Sequence, residues 1–421
     1  MKKILYIAAA AALLMTSCQK TDLLNVVEDT IEFGTEVGKL TKADPEDYNV
    51  PKYATLNAQG FRVWAVSDFN SGTIDIKGTI YRGLKNLPVI NGQGTASGWG
   101  FDATEVTNKY LWPQSPNKLY FYTVSSAKAE SWLVDGDNEA VTSKFLFNGE
   151  TPVTKVEFPL YKVDNTAHDD VMVADAVHQE KGQGKTVAPT FRHTMTKVMF
   201  NFKKGGPADN GAEEAENIVL KSITTTDLKY KGTLTFTYGN GTTGTPSEWA
   251  PEDDVKPFSK TAESTYKVGG VVIPKVADVD EVKNPVDGNY CFVGNKLYKY
   301  TSEGSWEESA DTYTITEGME LTEGYQNFVT WYMIPQNLAD ADLKLPSAGE
   351  QDRTLSGAVV TITYEADGKL ISQNFDLNVP ESPKDWSEEH CVKYNVTIAP
   401  HKIQFKPEVD EWVEVGEKLE N

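Results

Sequence analysis

Several short stretches of the chain place reactive residue types close together. Gly184-Lys185-Thr186 has the lysine and hydroxyl that end a phosphate-cradling loop, yet the glycine required five positions earlier is Gln179, and no helical pattern follows. Gly239-Asn240-Gly241-Thr242-Thr243-Gly244 matches the dinucleotide fingerprint by letter, but Thr245-Pro246 stand where the anion-binding helix should begin. The histidines His168, His178, His193, His390 and His401 are scattered, with no His-Glu-x-x-His and no cysteine pair at zinc spacing. His168-Asp169-Asp170 reads as a solvated acidic turn. Asp135-Gly136-Asp137-Asn138-Glu139 begins like a calcium loop and lacks its later glycine and glutamate. No Gly-x-Ser-x-Gly elbow occurs. Paired glycosidase carboxylates are assembled by a fold and cannot be picked out from 61 candidates. The sequence therefore specifies no enzyme, no cofactor and no metal.

Cys18 is the residue with a definite chemistry. Lys2 and Lys3 precede an apolar run from Ile4 to Met15 that ends in Thr16-Ser17-Cys18, a secretory signal peptide over residues 1–17. The run is shorter than the roughly 20 helical residues that cross a bilayer. Leu13-Leu14-Met15-Thr16-Ser17-Cys18 resembles a bacterial lipobox, which implies cleavage before Cys18 and lipidation of its sulfur. Acyl chains on that cysteine would hold the protein to a membrane, each buried CH₂ contributing roughly 0.8 kcal/mol. Cys291 and Cys391 remain, and two cysteines so far apart establish no disulfide framework; both are expected as buried thiols.

Composition agrees with an exported, soluble exterior. The 421 residues carry 61 Asp plus Glu against 40 Lys plus Arg, a formal charge of -21, which repels phosphate backbones and excludes nucleic acid as a partner. Only Arg62, Arg82, Arg192 and Arg353 are arginine, too few for bidentate anion clamps.

The positioning elements are strands. Phe61–Val66, Lys118–Val124, Lys155–Val163, Val198–Phe202, Thr233–Tyr238, Val359–Tyr364 and Lys393–Ile398 are rich in Val, Thr, Tyr and Phe and bounded by turn residues, which predicts an all-β fold of sandwich type. After a tether, Ile31, Phe33 and Val37 fall on one face of a strand spanning Thr30–Leu40, and the Pro45-containing polar loop behind it is open to proteases. The Gly/Gln/Lys stretch 180–186 suggests a boundary between an N-terminal sandwich at 46–184 and a C-terminal one at 185–421, with residues 18–45 as tether, first strand and loop. Proline-rich 239–324 reads as an insertion in the second sandwich. In it Gly294-Asn295 supplies a two-residue II′ turn, and Trp306 is expected to return over that hairpin.

Separated patches resemble one known family. Leu111-Trp112-Pro113 followed by Lys118-Leu119-Tyr120-Phe121-Tyr122, then Asp170-Val171-Met172-Val173-Ala174, Phe191-Arg192-His193-Thr194-Met195-Thr196-Lys197-Val198, Tyr332-Met333-Ile334-Pro335-Gln336 and Lys393-Tyr394-Asn395-Val396-Thr397-Ile398 are similar to signatures of the Bacteroidetes fimbrillins, which build type V pili. Met195 stands where that family usually has leucine.

The resemblance implies two transthyretin-like β-sandwiches in tandem and a lipoprotein precursor. It also implies cleavage after the first strand and assembly with other fimbrial subunits through a donated strand, toward adhesion to a host or bacterial receptor that the sequence does not identify. Carried onto this chain, Ile31, Phe33 and Val37 plug the removable strand, and Ile403, Phe405, Val409 and Trp412 belong to the donor candidate. Family cleavage commonly follows arginine, and the site here is Lys42-Ala43; an uncleaved anchor or accessory subunit is the alternative. Trp99, Trp112 and Trp412 read as packing residues, and His193 as a core-edge histidine bonded to backbone. Tyr298, Tyr300 and Trp306 are the contact residues that a monomeric, glycan-binding surface lipoprotein would use.

Overall fold

The computed structural model describes residues 30–34, 36–37, 56, 59–74, 77–92, 98–126, 145–148, 151–163, 169–181, 186–206, 217–238, 247–338, 357–377, 386–399 and 402–411. The fold is all-β, as expected. In chain order the first strands are β1 (Glu32–Phe33), β2 (Glu36–Val37), β3 (Phe61–Ser67), β4 (Leu87–Asn91), β5 (Trp99–Phe101), β6 (Lys118–Ser125), β7 (Phe145–Asn148), β8 (Thr151–Lys162), β9 (Met172–Glu180), β10 (Thr186–Val187) and β11 (Thr190–His193). All but β7 and β8 form one sheet in the order β10-β1-β5-β4-β3-β6-β9-β11-β2.

That sheet closes on itself. β1 runs parallel to β10, with Glu32 opposite Thr186 and Phe33 opposite Val187, and β2 continues the same register along β11, with Glu36 opposite Thr190 and Val37 opposite Phe191. On its other side β1 is antiparallel to β5. Inside lies a core that includes Ile31, Phe33, Phe61, Trp99, Trp112, Phe121 and Phe191. The opposite faces of the same strands carry Trp64, Val66, Tyr120, Tyr122 and Val173 into a second, larger core, so β3, β6 and β9 are buried on both sides. Gly60 makes the entry to β3 possible: its φ is +64°, and a Cβ there would stand 2.5 Å from the Val89 carbonyl oxygen.

Next come β12 (Thr196–Lys204), β13 (Ile218–Lys229), β14 (Lys231–Tyr238), β15 (Ser247–Pro251) and β16 (Val255–Thr261). In β12 alternation is strict: Thr196, Val198, Phe200 and Phe202 are buried, with half-buried residues between them. A small module follows, built from β17 (Thr265–Val268), β18 (Val271–Ile273), β19 (Lys275–Val276), β20 (Tyr290–Val293), β21 (Lys296–Tyr300), β22 (Trp306–Glu308) and β23 (Tyr313–Thr316). It has two sheets, ordered β18-β17-β23 and β19-β20-β21-β22, over a core of Tyr266, Ile273, Phe292 and Leu297.

The chain then adds β24 (Met319–Glu320), β25 (Gln326–Met333), β26 (Val359–Ala366), β27 (Lys369–Asp376), β28 (His390–Ala399) and β29 (Lys402–Glu411). Sheets β25-β12-β28-β29 and β16-β13-β26-β27 face each other as a sandwich around the larger core. Phe258 on one sheet meets Trp331 on the other, ring centroids 5.8 Å apart, and Phe375 stacks on Phe405 at 5.1 Å.

Two expected boundaries move. β10 and β11 lie beyond 184 yet belong to the first sheet, β11 pairing with β9 and β10 with β1. β7 and β8, from before that point, pair with β14 and β15 in a sheet ordered β15-β14-β8-β7. The insertion is also shorter than 239–324. β15 and β16 are edge strands of the surrounding sheets, where Pro251 and Pro257 are tolerated because one side of the backbone needs no partner, and Phe258 is fully buried. The separate module starts at Thr265 and ends at Thr316. Its hairpin turns at Gly294, φ +60°, as the sequence predicts.

Candidate strand-exchange site

The N-terminal segment fills a slot. Phe33 is completely buried and Ile31 nearly so. The Phe33 ring meets Phe61 at 5.8 Å, Phe101 at 5.2 Å and Phe121 at 6.2 Å, each edge to face, the arrangement that aromatic quadrupoles favour. The backbone is held on both sides: Ile31 N donates to Tyr110 O at 2.8 Å, and Gly34 N donates to Val187 O at 2.9 Å. Thr30 bridges Leu111. In place of one expected strand over Thr30–Leu40 there are two short ones, β1 and β2, with Val37 in register with Phe191. Residues 38–40 lie outside the described residues, as do Cys18, Lys42, Ala43 and Trp412.

At the far end of the slot sits a buried polar knot. His193 Nδ1 lies 2.6 Å from Asp170 Oδ2, with the carboxyl fully buried, so the histidine is bonded to a side chain and not to backbone as expected. Gln59 Nε2 donates to Asp170 O at 2.9 Å and to Ser125 Oγ at 2.7 Å, and Ser125 Oγ donates to Gly60 O at 2.5 Å. These bonds tie the residues just before β3 to β6, β9 and β11. Asp169 accepts from Ser126 Oγ at 2.8 Å, so Asp169 and Asp170 are buried anchors and not part of a solvated turn. Among the described residues no three His, Cys, Asp or Glu gather as a metal site.

Further along β9, His178 stacks on Tyr120 with centroids 3.9 Å apart and bonds Asp68 Oδ2 at 2.8 Å. Burial holds its imidazole below the ordinary 6.5, against the pull of Asp68. The C-terminal candidate residues lie elsewhere. Ile403, Phe405 and Val409 are half-buried on β29, the edge strand beside β28, and Phe405 stacks on Tyr394 at 5.2 Å. Tyr394 Oη donates to Leu377 O at 2.6 Å and accepts from Trp386 Nε1 at 3.0 Å, and burial pushes its ionisation far up.

Tyr298, Tyr300 and Trp306 do come together. Tyr300 is opposite Trp306 across β21 and β22, rings 5.1 Å apart at 65°. Tyr298 is opposite Cys291, which is buried and whose thiol burial pushes up. All three aromatics are half-buried. Nearby, Tyr290 Oη donates to Asp311 Oδ2 at 2.7 Å and holds that carboxyl below its usual range, with Ser309 Oγ adding a bond at 2.9 Å. The exposed large apolar residues of the module are others, Val271, Val272, Tyr313 and Ile315 on the three-stranded sheet and Val286 outside it, and no sequence pattern singles them out. Cys291 and Cys391 are both buried and neither is in a disulfide.

The family described as fimbrillin-like matches residues 41–316. The chain belongs to that family. As a member of that family it is a fimbrial protein of the cell surface, and among its described residues no helix is long and apolar enough to cross a membrane. No curated protein matches it. Among solved structures it is similar to a fimbrial protein from Bacteroides vulgatus, at 13% identity and TM-score 0.41 over 90% of this chain and 99% of that one. A protein assigned to cell adhesion from Bacteroides ovatus gives 11% and 0.40 over 92% and 99%, and one from Bacteroides uniformis 13% and 0.38 over 84% and 91%.

Three outcomes follow from this geometry. Phe33→Ala empties the centre of an aromatic cluster and should lower the unfolding free energy of the uncleaved chain by about 3–5 kcal/mol in urea titrations, while Leu370→Ala, at an exposed site, stays within about 0.5 kcal/mol. His193→Ala leaves the Asp170 carboxyl buried without its bond and should cost about 1–3 kcal/mol by the same measurement. Because the folded His178 binds its proton more weakly than the unfolded chain does, its contribution to stability is full above pH 6.5 and is lost as the pH falls through the folded value. His178→Gln should flatten the acid limb of a plot of melting temperature against pH.

Proposed function

We propose that this fimbrillin is exported as a lipoprotein held to the outer membrane through Cys18, is cut after Lys42, loses the segment 30–37, and is assembled when a neighbouring subunit lends a strand to the emptied slot. The observation that carries this reading is Phe33, fully buried at the centre of a sheet that, among the described residues, is closed by the segment it belongs to. Its departure would uncover Phe61, Trp99, Phe101, Phe121, Val187 and Phe191 as an apolar trough and leave the β5 edge and the β10/β11 edge unpaired. One incoming strand satisfies both edges and refills the trough, which is β-augmentation driven by backbone pairing and apolar burial together. A slot on one subunit and a strand on the next make a head-to-tail contact that does not close, so it propagates as a fibre. The donor is the C-terminal segment with Ile403, Phe405, Val409 and Trp412.

The scarcity of arginine keeps a second role in view, since the segment before β3 offers only lysine as a basic cleavage site. N-terminal sequencing of protein extracted from surface fibres decides between them. The proposal expects chains that start at Ala43; fibres whose chains all begin at lipidated Cys18 would overturn cleavage and make this an anchor or accessory subunit.

A further inference from the structure

Two stretches near opposite ends of the chain carry the same pattern. Ile31-Glu32-Phe33-Gly34-Thr35-Glu36-Val37 and Ile403-Gln404-Phe405-Lys406-Pro407-Glu408-Val409 agree at Ile, Phe, Glu and Val, in the same order and at the same spacing. Each is an apolar alternation interrupted once, by Thr35 in the first and Pro407 in the second. The first copy closes the slot as β1 and β2; the second is the middle of the edge strand β29.

We propose that Ile403–Val409 is a register code that addresses the slot of a second molecule of this same chain, entering in the direction of the segment it replaces, with Ile403 taking the place of Ile31, Phe405 that of Phe33, Glu408 that of Glu36 and Val409 that of Val37. This rests on the strand-exchange reading above and adds the partner, the direction and the alignment. The chain is then a self-assembling stalk subunit and not one that awaits a different protein.

Four features of the molecule fit the alignment. Direction is fixed by the phenyl pocket: read backwards, the C-terminal copy would bring its phenylalanine to the position of Thr35 and leave the space between Phe61, Phe101 and Phe121 to Pro407. A shift by two residues also takes the ring out of that space. Burial favours transfer, because Ile403 and Phe405 are half-buried on β29 whereas Ile31 and Phe33 are 4% and 0% exposed in the slot. The ladder does too: among the described residues β29 pairs with β28 alone, and a strand in the slot pairs with β5 on one side and β10/β11 on the other. Finally, proline cannot donate to a ladder. Pro407 would take the place of Thr35, while the amide that donates to Val187 O is that of Gly34, whose counterpart Lys406 retains its N–H.

The alignment predicts a covalent link. Thr190 is exposed and is the register partner of Glu36, so Glu408 of a second copy would stand opposite it on an adjacent strand about 4.8 Å away, within reach of a disulfide. The full chain carrying Thr190→Cys and Glu408→Cys is recovered as surface polymer, oxidised, and run denatured without reductant; Cys291 and Cys391 are buried and serve as silent background. The expected result is a ladder of covalent oligomers whose rungs each add one chain, with the disulfide between positions 190 and 408 found by peptide mass spectrometry. The Thr190→Cys, Lys406→Cys pair, displaced by two residues, should give none. An intrachain bond in the uncleaved Glu36→Cys, Thr190→Cys protein establishes that the site folds and oxidises. A ladder from the displaced pair, polymers that link through neither pair, or adducts to a different protein would each overturn the register code while leaving strand exchange standing. Absence of polymer from the wild-type chain would instead overturn strand exchange itself.

Discussion

Phe33 meets three other phenyl rings, and among the described residues the backbone that delivers it is what stands between β5 and the β10/β11 edge. Without that segment two edges of the nine-stranded sheet would face solvent, each exposing a row of amides and carbonyls. Closure by one segment satisfies both rows at once and seals the core behind them. The polar knot of Asp170, His193, Gln59 and Ser125 then fixes where the strands around the slot end, so the slot is bounded by bonds that do not depend on the segment filling it.

The rest of the molecule is built on the reverse side of that same sheet. Trp64, Tyr120, Tyr122 and Val173 point away from Phe33 and into the larger core, where Phe200, Trp331 and Tyr394 complete the sandwich. Double-sided burial makes β3, β6 and β9 a rigid wall that both cores share. Side chains packed at interior density hold such a wall in shape. Emptying the slot therefore leaves the larger core one intact face to rest on, which a subunit must keep if it is to exchange a strand without unfolding.

How much of this the sequence reveals depends on what each feature needs. Strand identity is legible because β-branched and aromatic residues alternate, as in Val198, Phe200 and Phe202, and the inward set Ile31, Phe33 follows from the same period. Burial on both faces erases that alternation in Phe61–Ser67, which reads only as an apolar run. Pro251 and Pro257 make two edge strands look irregular, because a proline is incompatible with a central strand and says nothing against an edge. The parallel wall at Thr186–Phe191 leaves no mark in the sequence: parallel pairing joins residues far apart along the chain with no turn to announce it. The Asp170–His193 bond has the same character, since the two residues belong to separate patches that only the antiparallel register of β9 and β11 unites.

Covalent connection explains why such a chain would wait before assembling. While the segment 30–37 is part of the chain, it meets its slot as an intramolecular ligand, at an effective concentration set by the chain that links it. In the proposed exchange, a donor strand from another molecule would compete from free solution and would first have to leave its own ladder on β28. Both terms favour the resident segment. The proposed cut after Lys42 would leave the contacts of segment 30–37 in place and remove only the link, so the segment would be diluted once it left. The balance then turns on which strand buries more and pairs better. A donor whose apolar residues are only half covered at home has the greater gain from entering a slot in which both edges and a closed phenyl pocket await it.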